Sequence, residues 1–252
     1  MDETSHYFEA MRASAAYVSL VDEDIDANLK LSLEAETKQK FLKIGWTETQ
    51  FEEFAERHAI VDYINNESFG LALTLFKDLE TGQLTLAFRG TEPWQEEGFP
   101  LADLATDFFL SIGLSEPYLG LTQVSAINDF LVDNNILDEN NQSVSDKLGL
   151  VNVVGHSLGG HLSAMFALDY PELIGQGTTF NAAGIGWLDA GYNYLKEFFL
   201  KPESIVARDQ LDGKFTNVYA EPGAELTANR LTFTHLGRDE PVFIEPPKGI
   251  AD

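Results

Sequence analysis

The segment with the clearest chemical meaning is a serine between two glycines, Gly155-x-Ser157-x-Gly159. An apolar run over 148–154 precedes it, and a stretch of small and apolar residues over 162–168 follows it. Gly-x-Ser-x-Gly on a tight turn from a strand to a helix is typical of a nucleophile elbow, which raises the serine hydroxyl above the sheet. We therefore predict that Ser157 is a nucleophile in covalent catalysis.

The elements that must hold this serine alternate along the chain. Strand-like runs cover about 69–76, 84–88, 177–184, 214–219 and 241–245, and helical periodicity covers about 7–21, 34–64 and 121–134. Strands alternating with helices predict an α/β fold with a mostly parallel, doubly wound sheet and helices on both faces. The length of 252 residues and the 44% hydrophobic content suit a single domain over residues 1–252.

The chain is strongly acidic, with a formal net charge of -25. Such a charge opposes binding to nucleic acid and to anionic bilayers, so we expect no nucleic-acid partner. The absence of cysteine excludes disulfides, thiolate metal sites and thiol catalysis. We expect neither a secretory signal nor a membrane helix in this chain, because no run has the apolar length that either needs. Location stays open between the cytoplasm and a non-classical export route.

Four short sequence blocks follow one another along the chain: 86–91 (LAFRGT), 103–107 (DLATD), 155–160 (GHSLGG) and 179–184 (TFNAAG). Together they resemble the fungal-type, or class three, lipase family over about residues 60–245. The resemblance implies an α/β-hydrolase fold and hydrolysis of acyl esters. The tail over 234–245 is more similar to the bacterial lipase/phospholipase branch. The chain departs from the fungal pattern beyond the elbow unit, where glutamates stand in place of an aspartate.

The general base is sought among five histidines. The chain order in an α/β-hydrolase is serine, acid, histidine. Two histidines precede the serine and two more are too close to it in sequence to turn back onto its hydroxyl; these four are His6, His58, His156 and His161. His235 is the one that follows at a distance, and we predict that it is the base. We expect His58 to be structural.

The triad acid must orient the histidine and stabilise the imidazolium, and it is expected after the strand over 214–219. Glu225 is the first choice because the turn before it projects it beyond the strand end, and Glu221 is the second. Asp209, which precedes this strand, and Asp189, which follows the previous strand, stay open as alternatives.

The oxyanion hole needs backbone N–H groups directed at the developing negative charge. Leu158 supplies one because it follows the nucleophile, and the family resemblance points to Thr91 for the other. Arg89 is expected to be a buried ion-pair partner of Asp103 or Asp107 rather than a substrate ligand.

Two segments could cover such a site. Residues 92–102 follow the oxyanion strand, and residues 187–201 are rich in aromatic and apolar side chains. Either could form a mobile hydrophobic cap, or lid, that meets a lipid interface transiently, and either could instead simply pack on the core.

We therefore predict a serine carboxylester hydrolase, a lipase acting on triacylglycerol or phospholipid acyl esters through an acyl-enzyme, with no metal or organic cofactor. A short-chain esterase or thioesterase is the alternative within the same class. A catalytically silent, hydrolase-like binding module is the alternative outside it. Oligomeric state is not predicted.

Overall fold

Within the described part of the chain, one sheet of seven strands forms the centre of the fold. The computed structural model describes residues 3–20, 24–26, 28–66, 71–90, 126–138, 151–182, 210–211, 213–221 and 236–243. The strands are β1 (His58–Asn66), β2 (Leu71–Asp78), β3 (Leu84–Phe88), β4 (Val151–His156), β5 (Ile174–Phe180), β6 (Phe215–Glu221) and β7 (Arg238–Phe243). They lie side by side in chain order. The pairings β1–β2 and β2–β3 are antiparallel, and the four pairings from β3 to β7 are parallel.

Helices cover both faces of this sheet. They are α1 (Glu3–Ala15), α2 (Ala35–Lys43), α3 (Glu48–Arg57) and α4 (Leu158–Asp169), and residues 126–133 are also helical. Side chains from α1, α2 and α3 form one buried cluster with one face of the sheet. Side chains from α4 and from the helical residues 126–133 form a second cluster with the other face.

Alternation along the central strands explains why two cores form. On β3, Leu86 and Phe88 face the cluster that contains α4, while Ala87 between them faces the cluster that contains α1. On β4, Val153 and Val154 divide in the same way, and neither is exposed to solvent. A strand buried on both faces is typical of a parallel sheet between helical layers. The predicted α/β fold, with a mostly parallel sheet and helices on both faces, is confirmed.

The prediction of a helical region over 34–64 is confirmed for α2 and α3 and is wrong from His58 onward, where the strand β1 begins. α2 stops where Gly45 adopts a φ of 95°, which a residue with a side chain rarely takes. α3 begins with a capping box, in which Thr47 and Gln50 each bond the backbone N–H of the other. From His58 onward the chain is a strand instead, because its backbone pairs with β2.

A buried charge network joins α1 to the β1–β2 hairpin. One carboxylate oxygen of Asp78 accepts from Arg12 at 3.0 Å and from Arg57 at 2.9 Å. Arg12 also pairs with Glu9 at 3.0 Å. Burial alone would raise the pKa of Asp78, but bonds from the Thr81 N–H and the Arg57 guanidinium outweigh it and hold this pKa at about 2. The network therefore needs Asp78 in its charged form.

Candidate active site

Ser157 follows β4 directly and precedes the first residue of α4, so it lies at the carboxyl edge of the parallel strands. Its backbone has φ 55° and ψ −119°. A positive φ is rare for a residue with a side chain, and such a conformation is retained only where the surroundings enforce it. The N–H of Ser157 donates to the carbonyl of Phe180 on β5 at 2.9 Å, and its carbonyl accepts from His161 at 3.3 Å. Both bonds fix the turn.

Close backbone packing explains the two glycines of the motif. A Cβ atom on Gly155 would overlap the backbone carbonyl of Gly159. A Cβ on Gly159 would overlap the backbone carbonyl of Phe88 at the end of β3. The first turn of α4 therefore lies directly against β4 and β3, and any side chain at either glycine would force the helix away. The predicted tight turn from strand to helix is present, and its backbone geometry is typical of a nucleophile elbow.

The predicted oxyanion donor, the N–H of Leu158, lies at the start of α4. Leu158 is the first residue of the helix, and the N–H groups of a first helical turn have no intrahelical acceptor. These groups and the helix dipole both favour negative charge beside Ser157. Thr91 lies outside the described residues. Gly90, the residue before it, packs so closely on the elbow that its Cβ position is 2.8 Å from the carbonyl oxygen of His156 and 3.1 Å from the Gly159 nitrogen.

Of the two preferred triad acids, the structure describes the backbone of Glu221 and no part of Glu225. The backbone of Glu221 ends β6, and the register Phe180↔Val218 places it at the same edge of the sheet as Ser157. Strand spacings put the two Cα atoms about 12 Å apart, a gap that an intervening imidazole would bridge. The side chain of Glu221 lies outside the described residues, as do Glu225 and the alternatives Asp189 and Asp209.

His235 also lies outside the described residues, but the residues that follow it are described. Gly237 packs against the backbone of Phe215, which begins β6, and Leu236 is buried in the cluster that contains α4. Strand spacings place Gly237 roughly 20 Å from Ser157, and two residues of chain recover at most about 7 Å of that. The placement of Gly237 therefore does not favour His235 as the base, which stays an untested prediction.

The described histidines have other surroundings. His58 is fully buried, where its Nε2 accepts from Arg12 at 3.1 Å and its Nδ1 lies 3.0 Å from the Phe54 carbonyl. Burial, with the nearby Arg12 charge, lowers the pKa of His58 to about 4, so it is neutral and structural as predicted. His156 contacts Tyr17, and burial lowers the pKa of His156. Tyr17 was not singled out by any sequence pattern.

Several further predictions fall wholly or partly outside the described residues. Both cap segments, 92–102 and 187–201, are outside them, and so are the two proposed partners of Arg89. Within the described ranges, no group of His, Asp and Glu side chains is arranged to hold a metal ion. None of the helices described is both long and apolar enough to cross a bilayer.

The mixed seven-stranded sheet, its helical layers and the elbow at its carboxyl edge define the α/β-hydrolase fold. No protein-family model matches the sequence, and a search of curated proteins gave no match.

Solved structures similar to the chain include fungal lipases. With Lip2 lipase from Yarrowia lipolytica the identity is 16%, the TM-score is 0.46, and the match covers 98% of this chain and 81% of that one. The corresponding values for a triacylglycerol lipase from Penicillium expansum are 14%, 0.45, 94% and 78%. For a Rhizomucor miehei lipase they are 13%, 0.47, 97% and 69%. The resemblance to the bacterial branch stays a prediction from the sequence.

Proposed function

We propose that this protein is a serine hydrolase that cleaves carboxylic esters through an acyl-enzyme, with Ser157 as the nucleophile. The observation that carries the proposal is the backbone of Ser157, held at φ 55° and ψ −119° between β4 and α4. A purely structural turn at this place would favour glycine, because glycine adopts a positive φ without strain. A serine kept in this strained position is typical of a residue whose hydroxyl is needed.

The chemistry follows from that position. The Ser157 oxygen attacks the ester carbonyl while a base removes its proton, and the carbonyl oxygen becomes an oxyanion. The N–H of Leu158 would stabilise this charge, and the N–H of Thr91 is the proposed second donor. The alcohol then leaves with a proton returned from the base, and water hydrolyses the acyl-enzyme by the same steps. The proposed base is His235, which is chosen from the sequence alone, and the proposed acid is Glu225 or Glu221.

The proposed substrates are acyl glycerides or phospholipids. Support comes from the sequence blocks that resemble the class three lipases, and the Penicillium expansum protein is itself described as a triacylglycerol lipase. A short-chain esterase or thioesterase remains the alternative. The two differ in their response to an interface, because a lipase gains activity when its substrate passes from solution into an emulsion.

Labelling with a fluorophosphonate tests the nucleophile. We expect the natural chain to become labelled at Ser157 and Ser157→Ala to stay unlabelled. The matched control is Ser163→Ala in the same helix, because the Ser163 hydroxyl is fully buried and donates to the Gly160 carbonyl at 2.8 Å. Ser163→Ala should label normally. An unlabelled natural chain, or labelling that survives Ser157→Ala, would instead favour a catalytically silent binding module.

Substitutions test the rest of the triad. If His235 is the base, His235→Ala should lower the labelling rate as strongly as loss of a triad member, by about 10³-fold or more. A rate within about twofold of the natural chain rejects His235. The acid is settled by comparing Glu225→Gln with Glu221→Gln, since the true acid loses the larger share of turnover. Equal and small losses would reject both.

A substrate panel tests the lipid assignment. Triacylglycerol emulsions, phosphatidylcholine vesicles and a soluble short-chain ester should be compared, each with Ser157→Ala as the blank. A lipase is expected to turn over the emulsion faster than the soluble short-chain ester. Turnover confined to the soluble ester would replace the lipase proposal with that of an esterase.

A further inference from the structure

Tyr17 lies where α1 has just ended and contacts the residue before the proposed nucleophile. The turn after α1 is held by backbone bonds from Tyr17 to Ser14 at 3.0 Å and from Val18 to Ala15 at 3.0 Å. The Tyr17 hydroxyl then lies 3.2 Å from the His156 Nδ1 and 3.2 Å from the His156 carbonyl oxygen. The two rings meet edge to face, with centroids 6.0 Å apart.

One arrangement of protons satisfies both contacts of this pair. A phenol has one hydrogen to donate and an oxygen that also accepts. The carbonyl oxygen of His156 can only accept, so we assign the Tyr17 hydrogen to it, and in this arrangement Nδ1 donates its own hydrogen to the Tyr17 oxygen. In a neutral ring this leaves the Nε2 atom of His156 without a proton. Burial, which lowers the pKa of His156, favours that neutral ring.

The same hydroxyl also touches the strand end that leads to the second oxyanion donor. A Cβ atom on Gly90 would overlap the Tyr17 oxygen and would lie 2.8 Å from the His156 carbonyl oxygen. Gly90 directly precedes Thr91, and His156 directly precedes Ser157. One phenol oxygen from the N-terminal part of the chain is therefore in contact with both backbone segments that frame the proposed site.

We propose that Tyr17 is a positioning residue for this site, whose hydroxyl fixes the backbone before Ser157 relative to the backbone before Thr91. The proposal rests on the proposed hydrolase function. Tyr17 acts through His156 and Gly90 and needs no contact with substrate. Acyl transfer is sensitive to such spacing because its donors must meet the oxyanion at 2.7–3.1 Å, roughly the length of one hydrogen bond.

Tyr17→Phe tests the proposal, because it removes the hydroxyl and keeps the ring. We expect kcat and the fluorophosphonate labelling rate to fall about tenfold with KM nearly unchanged, since the transition state depends on the spacing more than substrate binding does. Loss of a direct oxyanion donor costs more, about 10²- to 10³-fold. The matched control is Tyr7→Phe on α1, whose hydroxyl bonds Glu53 at 3.1 Å near the surface. It should keep the natural kcat and labelling rate.

A second measurement does not depend on catalysis. Nitrogen NMR of the natural chain should show His156 with a protonated Nδ1 and an unprotonated Nε2, and Tyr17→Phe should shift this ring toward a mixture of tautomers. A His156→Gln spectrum assigns the signals.

The outcomes separate this proposal from the proposed function. If the natural chain is not labelled at Ser157, the hydrolase fails, whatever the NMR result is. If it is labelled and Tyr17→Phe is labelled equally fast, the positioning role of Tyr17 is refuted. A protonated Nε2 at His156 in the natural chain would overturn the hydrogen-bond assignment on which that role depends.

Discussion

Strain at Ser157 predicts that the two simplest substitutions of the proposed nucleophile differ in stability. Both Ser157→Ala and Ser157→Gly remove the hydroxyl, so both lose any reaction that depends on it. Alanine keeps a Cβ at a φ of 55°, whereas glycine adopts this φ freely. The comparison therefore isolates the cost of the backbone conformation from the loss of the hydroxyl.

The expected magnitude follows from two opposing terms. A residue with a side chain in such a sparsely populated conformation costs about 1–3 kcal/mol. Glycine avoids this cost, but it lowers stability by about 0.5–1 kcal/mol because it gives the unfolded chain more conformational freedom. We therefore expect Ser157→Gly to be about 1 kcal/mol more stable than Ser157→Ala. In a chain of 252 residues, a difference of this size raises Tm by about 3 °C.

Urea unfolding followed by circular dichroism measures the difference, with thermal unfolding as a second probe. The midpoint of Ser157→Gly should lie above that of Ser157→Ala with the same slope, since the slope reports exposed surface and not strain. Equal midpoints, or a more stable alanine variant, would mean that the turn at Ser157 is unstrained. The argument from strain to a chemical role for the hydroxyl would then be lost.

Further predictions concern Asp78, His58 and Gly155. Asp78→Asn should destabilise the chain by about 3 kcal/mol, because Arg12 then loses a buried charge partner. Its control Glu80→Gln, which removes an exposed partner of Arg57, should cost less than about 1 kcal/mol in the same urea titration. Because the pKa of Asp78 is held at about 2, its contribution is present above pH 4 and is lost as pH falls toward 2. The pKa of His58 is lowered to about 4, so its contribution to the free energy of unfolding should fall by about 3 kcal/mol as pH drops from 7 to 4. His58→Gln should remove this part of the dependence of stability on pH. Gly155→Ala should cost about 2 kcal/mol and slow labelling of Ser157, since its Cβ overlaps the Gly159 backbone. Natural stability and labelling in Gly155→Ala would show that α4 can move without harm.

The elbow could be predicted from sequence because its constraints are local. Side chains are excluded at Gly155 and Gly159 because they would overlap the backbone of α4 or β3, and Ser157 forms the turn between them. All of these constraints lie within five residues. The contact of Tyr17 with His156 could not be predicted, since 139 residues separate the partners in the chain. No periodic pattern marks a side chain that lies in the turn after a helix and meets the end of a distant strand.

The predicted helical region over 34–64 is wrong from His58 onward for a different reason. The pattern around α3 continues its apolar spacing into β1, because Ala59 and Ile60 are buried in the strand just as they would be on a helix. What ends the helix is pairing with β2, which begins at His58↔Asp78. Short apolar runs do not distinguish a buried helix from a buried strand, so only the partner strand decides.

Strand register also decides at which edge of the sheet a loop lies. This point matters most for the proposed base, His235. Elimination by chain order selects His235 because it is the last histidine, and chain order carries no information on the end of a strand from which a loop departs. The pairing Thr216↔Arg238 shows that β6 and β7 begin at the same level. Gly237, just before β7, therefore lies at the amino edge, whereas parallel sheets gather their reactive groups at the carboxyl edge, where Ser157 lies. Glu221, which ends β6, belongs to that carboxyl edge, so the register favours it as the acid more directly than it favours His235 as the base.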